Sequence, residues 1–393
     1  MQPATQAMSE ALYKRCADRA PIYDQENRFF TEDFEELRLA GYLLMPIPPE
    51  LGGWGMTLAE VCREQRRLAY YAPATALGLN MHVYWMGVAN DLRRGGDKSL
   101  EWILRQAAAG EVFAAGHAET GNDIPLLLST TRAERVDGGY RFHGRKHFGS
   151  LSPVWTRYGL HGMDTSDPNA PKIVHAFMPR DTPGYRIEHT WDVLGMRATQ
   201  SEDTLLEGCF VPDQYIARVV PAGAGGIDGF VASVFVWALM GFGNVYYGLA
   251  RYAMDRTVET IKKKRSIGMS RPMSYHAEVQ HMIAEMVLEL ETAEALLERA
   301  AVSWTENTDP ASAPALVMRV VAAKHRAIES SWKVVDMAME LAGGFGIFRA
   351  GGMERLFRDA RLGRIHPANS FLTHELLAKS TLGINPDEQP RWG

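Results

Sequence analysis

The chain has 393 residues, 46% hydrophobic and 23% charged, with a formal net charge of −5. That is enough for two or three packed domains of ordinary globular composition. The negative balance argues against a general nucleic-acid binder, which must neutralise phosphates. No apolar run reads as long enough to span a bilayer. The stretch MQPATQAMSEALYKRCADRA has no apolar signal-peptide core. Cys16, Cys62 and Cys209 are scattered, without metal-type spacing. A reduced, cytoplasmic protein without a membrane or nucleic-acid partner is expected.

Residues 1–120 read as a helical domain. TEDFEELRLAGYLLMPIP carries apolar residues at three-to-four spacing until Gly41 and the prolines stop it. TLAEVCREQRRLAYY follows with Thr57 as N-cap, and LEWILRQAAAGE closes on Gly110. Over residues 121–221 the period changes. TTRAERVDGGYRFHGRKHF alternates around an Asp137-Gly138-Gly139 turn signal, and KIVHAFMPR, YRIEHTW and DTLLEGCFVP are further short strands. A compact antiparallel, barrel-like β domain is expected there. After AGAGG (222–226), residues 227–393 read as long amphipathic helices, predicting a C-terminal helical bundle. The fold class is therefore mainly α with a β domain. GGFG at 343–346 follows a helix rather than a strand and is no dinucleotide fingerprint by itself. His143 and His147 lie on a strand, where the pleat separates them, so no metal site is expected.

Six segments in order resemble the acyl-CoA dehydrogenase superfamily over nearly the whole chain. PPELGGWGMTLAEVCREQRRLA resembles its Pro-Glu-x-x-Gly-Gly-x-Gly segment and following helix. AETGNDI is similar to a shortened Thr-Glu-Pro-Gly-x-Gly-Ser-Asp loop, and GYRFHGRKHFGSLSP to the Gly-x-Lys-x-Trp-Ile-Thr/Ser-Asn segment. GMRATQSEDTLLEGCFVP, VYYGLARYAMDRTVETIKKKRSIG and ELAGGFGIFRAGGMERLFRDARLGRI match the closing strands, the helix ending in Arg-x-x-Phe-Gly, and the Gln-x-x-Gly-Gly-x-Gly to Arg-Asp-Ala span. The resemblance implies that family's fold: N-terminal helical domain, middle β domain and C-terminal four-helix bundle. It also implies bound FAD, with cofactor contacts shared across a homodimer or homotetramer.

Carried over by position, the resemblance puts Phe148 at the flavin wall, where the family has Trp, and Ser150 beside flavin N5. Ala118 replaces a Thr that hydrogen-bonds the flavin. Lys264 falls on the phosphate-binding Arg and Ile267 on the Phe beside the adenosine. Glu340 replaces a Gln next to Gly343 and Gly344, whose lack of a side chain admits a dinucleotide. Asn369 is carried over as a further cofactor contact, Asn122 falls on a Ser of the substrate channel, and Tyr84 and Trp191 suggest an aromatic-lined pocket.

The family's catalytic Glu removes the substrate's α-proton from one of two positions. Here they are Pro367 and Ala238, and neither side chain can accept a proton. His366 lies beside the first of them, where dibenzothiophene-type two-component monooxygenases also carry a His. Their need is a hydrogen-bond donor and proton source rather than a strong base. His366 is thus the candidate catalytic group, with His82 as a second; helix capping before Pro367 is the competing role for His366. Three functions follow. The leading expectation is a dehydrogenase oxidising the α,β bond of an acyl thioester, with a base such as His366 or Glu119 and an electron-transfer flavoprotein as partner. The alternative is a flavin monooxygenase supplied by a flavin reductase, acting on an acyl or aromatic compound. The third is a catalytically silent subunit of a hetero-oligomer.

Overall fold

The computed structural model describes residues 8–307 and 309–388. The first seven residues of the N-terminal stretch read above lie outside them.

The N-terminal helices are α1 (Glu10–Glu26), α2 (Thr31–Leu39), α3 (Leu58–Tyr71), α4 (Pro73–Arg94) and α5 (Glu101–Ala108). Thr57 caps α3 as predicted: its hydroxyl accepts from Glu60 N–H, and the Glu60 carboxylate accepts from Thr57 N–H at 2.8 Å. This reciprocal box satisfies two otherwise orphaned helix-start donors.

Eight strands form one sheet: β1 (Phe113–Gly116), β2 (Arg132–Val136), β3 (Gly139–Gly149), β4 (Arg157–Asp164), β5 (Lys172–Pro179), β6 (Tyr185–Glu188), β7 (Glu202–Pro212) and β8 (Ile216–Pro221). Their order is β6-β7-β3-β2-β4-β5-β8, with β1 alongside β4. The Asp137-Gly138 signal is the β2–β3 turn, with Gly138 at φ +77°. Two details correct the expectation. The sheet begins at Phe113, ahead of residue 121. Its pairing is mixed, because β1 and the end of β2 run parallel to β4.

The C-terminal helices are α6 (Gly229–Ile261), α7 (Ala277–Thr305), α8 (Ala313–Ala342), α9 (Met353–Leu362) and α10 (Ser370–Leu382). Helix α6 is the core of the molecule and packs on α3, α4, α7 and α8, while α10 lies on α8. It also overturns the expectation that no apolar run is long enough to span a bilayer. Helix α6 is long and apolar enough to cross a membrane, but its apolar surface is buried inside the protein. Close approach of α4 and α6 depends on glycine: a Cβ at Gly87 would sit 2.1 Å from the Trp237 ring.

Candidate functional site

The end of β3 builds an aromatic wall. A bulge between Lys146 and Gly149 breaks the β3–β7 register, and Phe148 takes φ +58°. That conformation costs a bulky residue about 1–3 kcal/mol and marks a position the surroundings over-determine. Phe148 is 58% exposed, with Trp191 edge-on at 6.1 Å. Trp191 is held firmly. Its N–H and that of Thr190 donate to Glu202 at 3.0 and 2.6 Å, its carbonyl accepts from Asn27 Nδ2 at 2.8 Å, and its indole N–H donates to Arg197 O. Beneath the wall, the buried Ser150 hydroxyl starts a chain: 2.7 Å to Ser201, 2.7 Å on to Thr199, which donates to Met196 O. Ala118 pairs with His147 in a β-bridge, so loop 118–122 runs beside the wall.

That loop overturns two expectations. Glu119 is buried and accepts from Lys146 Nζ at 2.6 Å, the Ser129 hydroxyl, Thr130 and Thr131 N–H, and Asn122 Nδ2. Burial alone would raise its carboxyl, but Lys146 and these donors prevail and hold it at about 2. A carboxylate so saturated is no base. Asn122 spends its amide on Glu119 and Leu128 O and its carbonyl on Ile124 N–H, so it fastens the loop instead of facing a substrate channel.

His366 packs its ring on Phe242 of α6 at 4.7 Å and 21°, with Tyr246 at 5.6 Å. Phe242 is one helical turn beyond Ala238. Burial, then the Lys324 charge, push the imidazole down to about 3, so it is neutral at physiological pH. Its segment is gripped by Lys324, whose Nζ donates to His366 O at 3.1 Å and Ala368 O at 2.8 Å. The sequence reading missed Lys324. The signal was there: it occupies the inward stripe of α8 with Val317, Val321 and Ile328, where a lysine needs a reason.

His82 is corrected from catalytic to structural. It is fully buried; its Nε2 lies 3.2 Å from Leu43 O, and its Nδ1 accepts from Phe113 N–H at 3.0 Å. Both ring nitrogens are occupied by backbone, and burial lowers the imidazole to about 4. Tyr84 is corrected likewise. It lies in the core against Trp85 at 4.7 Å rather than on an open pocket. Asn369 caps α10, its Oδ1 accepting from Leu372 N–H at 3.0 Å, which commits that oxygen to the helix.

Arg358 and Asp359 clamp domains together. The Arg358 guanidinium forks onto Asp24 of α1 at 3.0 and 2.6 Å, reaches Glu354 and donates to Leu194 O. Buried Asp359 accepts from Met196 N–H, and burial raises it to about 6. The clamp therefore fixes the loop that carries Trp191.

On a separate face, Lys264 Nζ donates to Ala342 O at 3.2 Å, beside Gly343 at φ +65°. Glu340, Gly343, Gly344 and Ile267 are exposed around it. The structure thus brings together the positions assigned to the phosphate and adenosine half of a cofactor. A cavity of about 1060 Å³ opens elsewhere, between the start of α6 and the end of α10, lined by Leu127, Ile227, Trp304, Met318 and Ile384 with Asp91. Asp91 already accepts from Trp237 and Trp304.

Two family models match the chain: "Acyl-CoA dehydrogenase, N-terminal domain" over residues 3–111 and "Acyl-CoA dehydrogenase, C-terminal domain" over residues 240–371. The chain belongs to the acyl-CoA dehydrogenase superfamily. Within it, the chain is 28% identical to the putative acyl-CoA dehydrogenase YdbM of Bacillus subtilis (strain 168), covering 91% of each chain. It is 29% identical to the amino sugar nitrososynthase DnmZ of Streptomyces peucetius, over 92% of this chain and 88% of the relative. The solved structure of KijD3 with FMN and a dTDP-linked amino-keto sugar superposes with a TM-score of 0.83 at 24% identity, covering 97% of this chain and 93% of that one. The protein is thus an acyl-CoA dehydrogenase-fold flavoprotein from a superfamily of dehydrogenases and oxygenating enzymes.

Proposed function

We propose that the protein is a flavin-dependent monooxygenase that takes reduced flavin from a separate reductase and oxygenates a nitrogen or sulfur atom of a small substrate. One observation carries this. Among the described residues at the family's base positions there is no carboxylate, and the nearby Glu119 is consumed by Lys146 and four further donors. Abstraction of an α-proton next to a thioester needs a base; oxygenation of an amine or sulfide needs protons handled and water kept out. The relatives named as amino sugar nitrososynthases support the same direction.

The residues present suit a flavin. Phe148 offers an exposed aromatic face for its ring, Trp191 stands edge-on beside it, and the Ser150 hydroxyl lies behind. Lys264 and the Gly343 turn offer a cation and open backbone to phosphate. When bound, the flavin supplies the two-electron chemistry with dioxygen. The neutral His366 contributes a ring nitrogen that can donate or accept a hydrogen bond without holding a charge in an apolar setting. The exposed Ile267, Phe345, Ile347 and Phe348 support a homo-oligomer that covers this face.

A second reading is an FAD-dependent acyl-thioester dehydrogenase. The pairing of Lys264 with the Gly343 turn favours it, since FMN has no pyrophosphate for them to hold. Anaerobic mixing of the oxidised protein with acyl-CoA thioesters separates the two. We expect no bleaching of the flavin, and oxygenated product when the reduced protein meets air with an aryl sulfide or an amino sugar nucleotide. Bleaching by an acyl-CoA overturns the monooxygenase reading.

A further inference from the structure

Beside the Phe148 wall, three side chains stand in line. Asp203 Oδ2 lies 2.9 Å from His147 Nδ1, and His147 Nε2 lies 2.8 Å from Thr120 Oγ1. Asp203 is buried, the His147 side chain is 23% exposed and Thr120 is exposed. The order runs from a fixed carboxylate, through an imidazole, to a hydroxyl at the surface. The carboxylate fixes the tautomer: bonded to Asp203, Nδ1 carries the hydrogen, and Nε2 is left as acceptor for the Thr120 O–H. Arg145 also binds Asp203, at 2.9 Å, and reaches Glu188, so the Asp203 carboxylate is held in place from a second side. Thr120 also stands where the family loop quoted above has Pro, and two residues earlier Ala118 lacks that loop's Thr hydroxyl. On this edge the hydroxyl sits at position 120, where an imidazole meets it.

We propose that Asp203, His147 and Thr120 form a proton relay serving the space in front of Phe148 and Trp191, with the Thr120 hydroxyl as its outer end. The relay rests on the flavin site proposed above. In the delivering direction, protonated His147 passes its Nε2 proton to Thr120 Oγ1 as the Thr120 hydroxyl proton goes to an acceptor in the site. His147 is left neutral, Nδ1–H still on Asp203, and solvent recharges the part-exposed ring. Taking a proton from the site is the reverse. Only O–H and N–H bonds change, and nothing is oxidised or reduced. This assigns proton handling to a hydrogen-bonded line that reaches the surface, whereas His366 is buried and held neutral against Phe242.

The test uses the flavin-loaded protein and two independent arms. In turnover, Thr120→Val and His147→Gln should each lower kcat by about 10²-fold, the low end for a positioned acid–base group. KM should stay within about twofold, the pH profile of kcat should move, and Thr120→Ser should restore most of the rate. Thr120→Val with parental kcat and a superimposable pH profile overturns the relay. The second arm is imidazole ¹⁵N NMR and needs no turnover. His147 should show hydrogen on Nδ1 when neutral, and Asp203→Asn should redistribute it toward Nε2. A tautomer indifferent to Asp203→Asn also overturns the proposal. Should neither oxygenation nor dehydrogenation be found, the functional reading fails, and the NMR arm still tests the Asp203–His147 bond without which there is no relay.

Discussion

Lys146 and Lys324 are both buried, and they differ in what answers their charge. Lys146 meets the Glu119 carboxylate at 2.6 Å, both side chains fully enclosed. Lys324 meets two backbone carbonyls, with the Glu329 carboxylate pulling weakly on its charge. Burial lowers both ammoniums, Lys146 to about 8 against the pull of Glu119, Lys324 to about 7 with weaker opposition. A buried ion pair is a matched unit that tolerates replacement of both partners better than loss of one. An ammonium on carbonyls is a clamp whose value lies in where it holds the chain. Lys146 fixes loop 118–131 beside the Phe148 wall, and Lys324 fixes the segment that carries His366.

The largest effect should come from splitting the pair. Glu119→Gln leaves Lys146 enclosed without an anion and should destabilise the fold by about 3–5 kcal/mol. The double variant Glu119→Gln/Lys146→Met should recover a good part of that loss. Urea unfolding of the three proteins measures it; additive losses would mean the two residues act independently. The acid limb gives a second reading. Glu119 is held near 2, below its unfolded value, so its contribution is present above about 4.5 and is lost as pH falls toward 2. Glu119→Gln should flatten that limb.

Lys324→Met should cost less, about 1–3 kcal/mol, because two carbonyls lose donors while the burial of a charge is relieved. Its sharper signature is pH dependence. The folded ammonium titrates near 7 and the unfolded one near 10.5, so over that window the unfolded chain binds more protons and Lys324 makes stability rise with pH. Lys324→Met should remove its share of that slope, while Lys146 continues to contribute above about 8. A variant with the parental slope would show that Lys324 titrates normally. His366 supplies the opposite limb. Its folded value near 3 lies below the unfolded one near 6.5, so stability falls as pH drops through that interval, and His366→Phe should remove its share of the fall, with buried histidines such as His82 supplying the rest.

The same contrast explains what was legible in the sequence. Helix α3, the Asp137-Gly138 turn and the long C-terminal helices are local events, written in periodicity, capping and turn chemistry. Strand β1 was not legible: FAAG is four residues, buried throughout, with no alternation to mark it. At the site, Phe148 and the pairing of Lys264 with the Gly343 turn could be found because each rests on a short motif at fixed spacing. The role of His82 could not, since its partners Leu43 O and Phe113 N–H come from distant segments. The His147 relay stayed hidden for a related reason. Its members lie at positions 120, 147 and 203, and a strand histidine taken alone looks like surface.

A third lysine gives the smallest stability change. Lys264 is half-exposed and donates one hydrogen bond, at 3.2 Å, to the last turn of α8. A cation there interacts favourably with the negative end of the helix, worth about 0.3–1 kcal/mol. Lys264→Ala should therefore lower stability by no more than that, a shift in unfolding midpoint much smaller than for either buried lysine. Its cofactor effect tells the two functional readings apart. If the Gly343 turn receives the pyrophosphate of FAD, loss of one charge-assisted contact should weaken binding by about 1.5–3 kcal/mol, or roughly 10- to 150-fold in Kd. If the protein works with FMN, which has no pyrophosphate, Kd should move by less than about twofold. Titrating apoprotein and Lys264→Ala with each flavin by fluorescence quenching measures both. A large loss with FAD together with tighter parental binding of FAD than FMN would favour the dehydrogenase reading. Indifference to the substitution with either flavin would leave Lys264 as a helix-end cap.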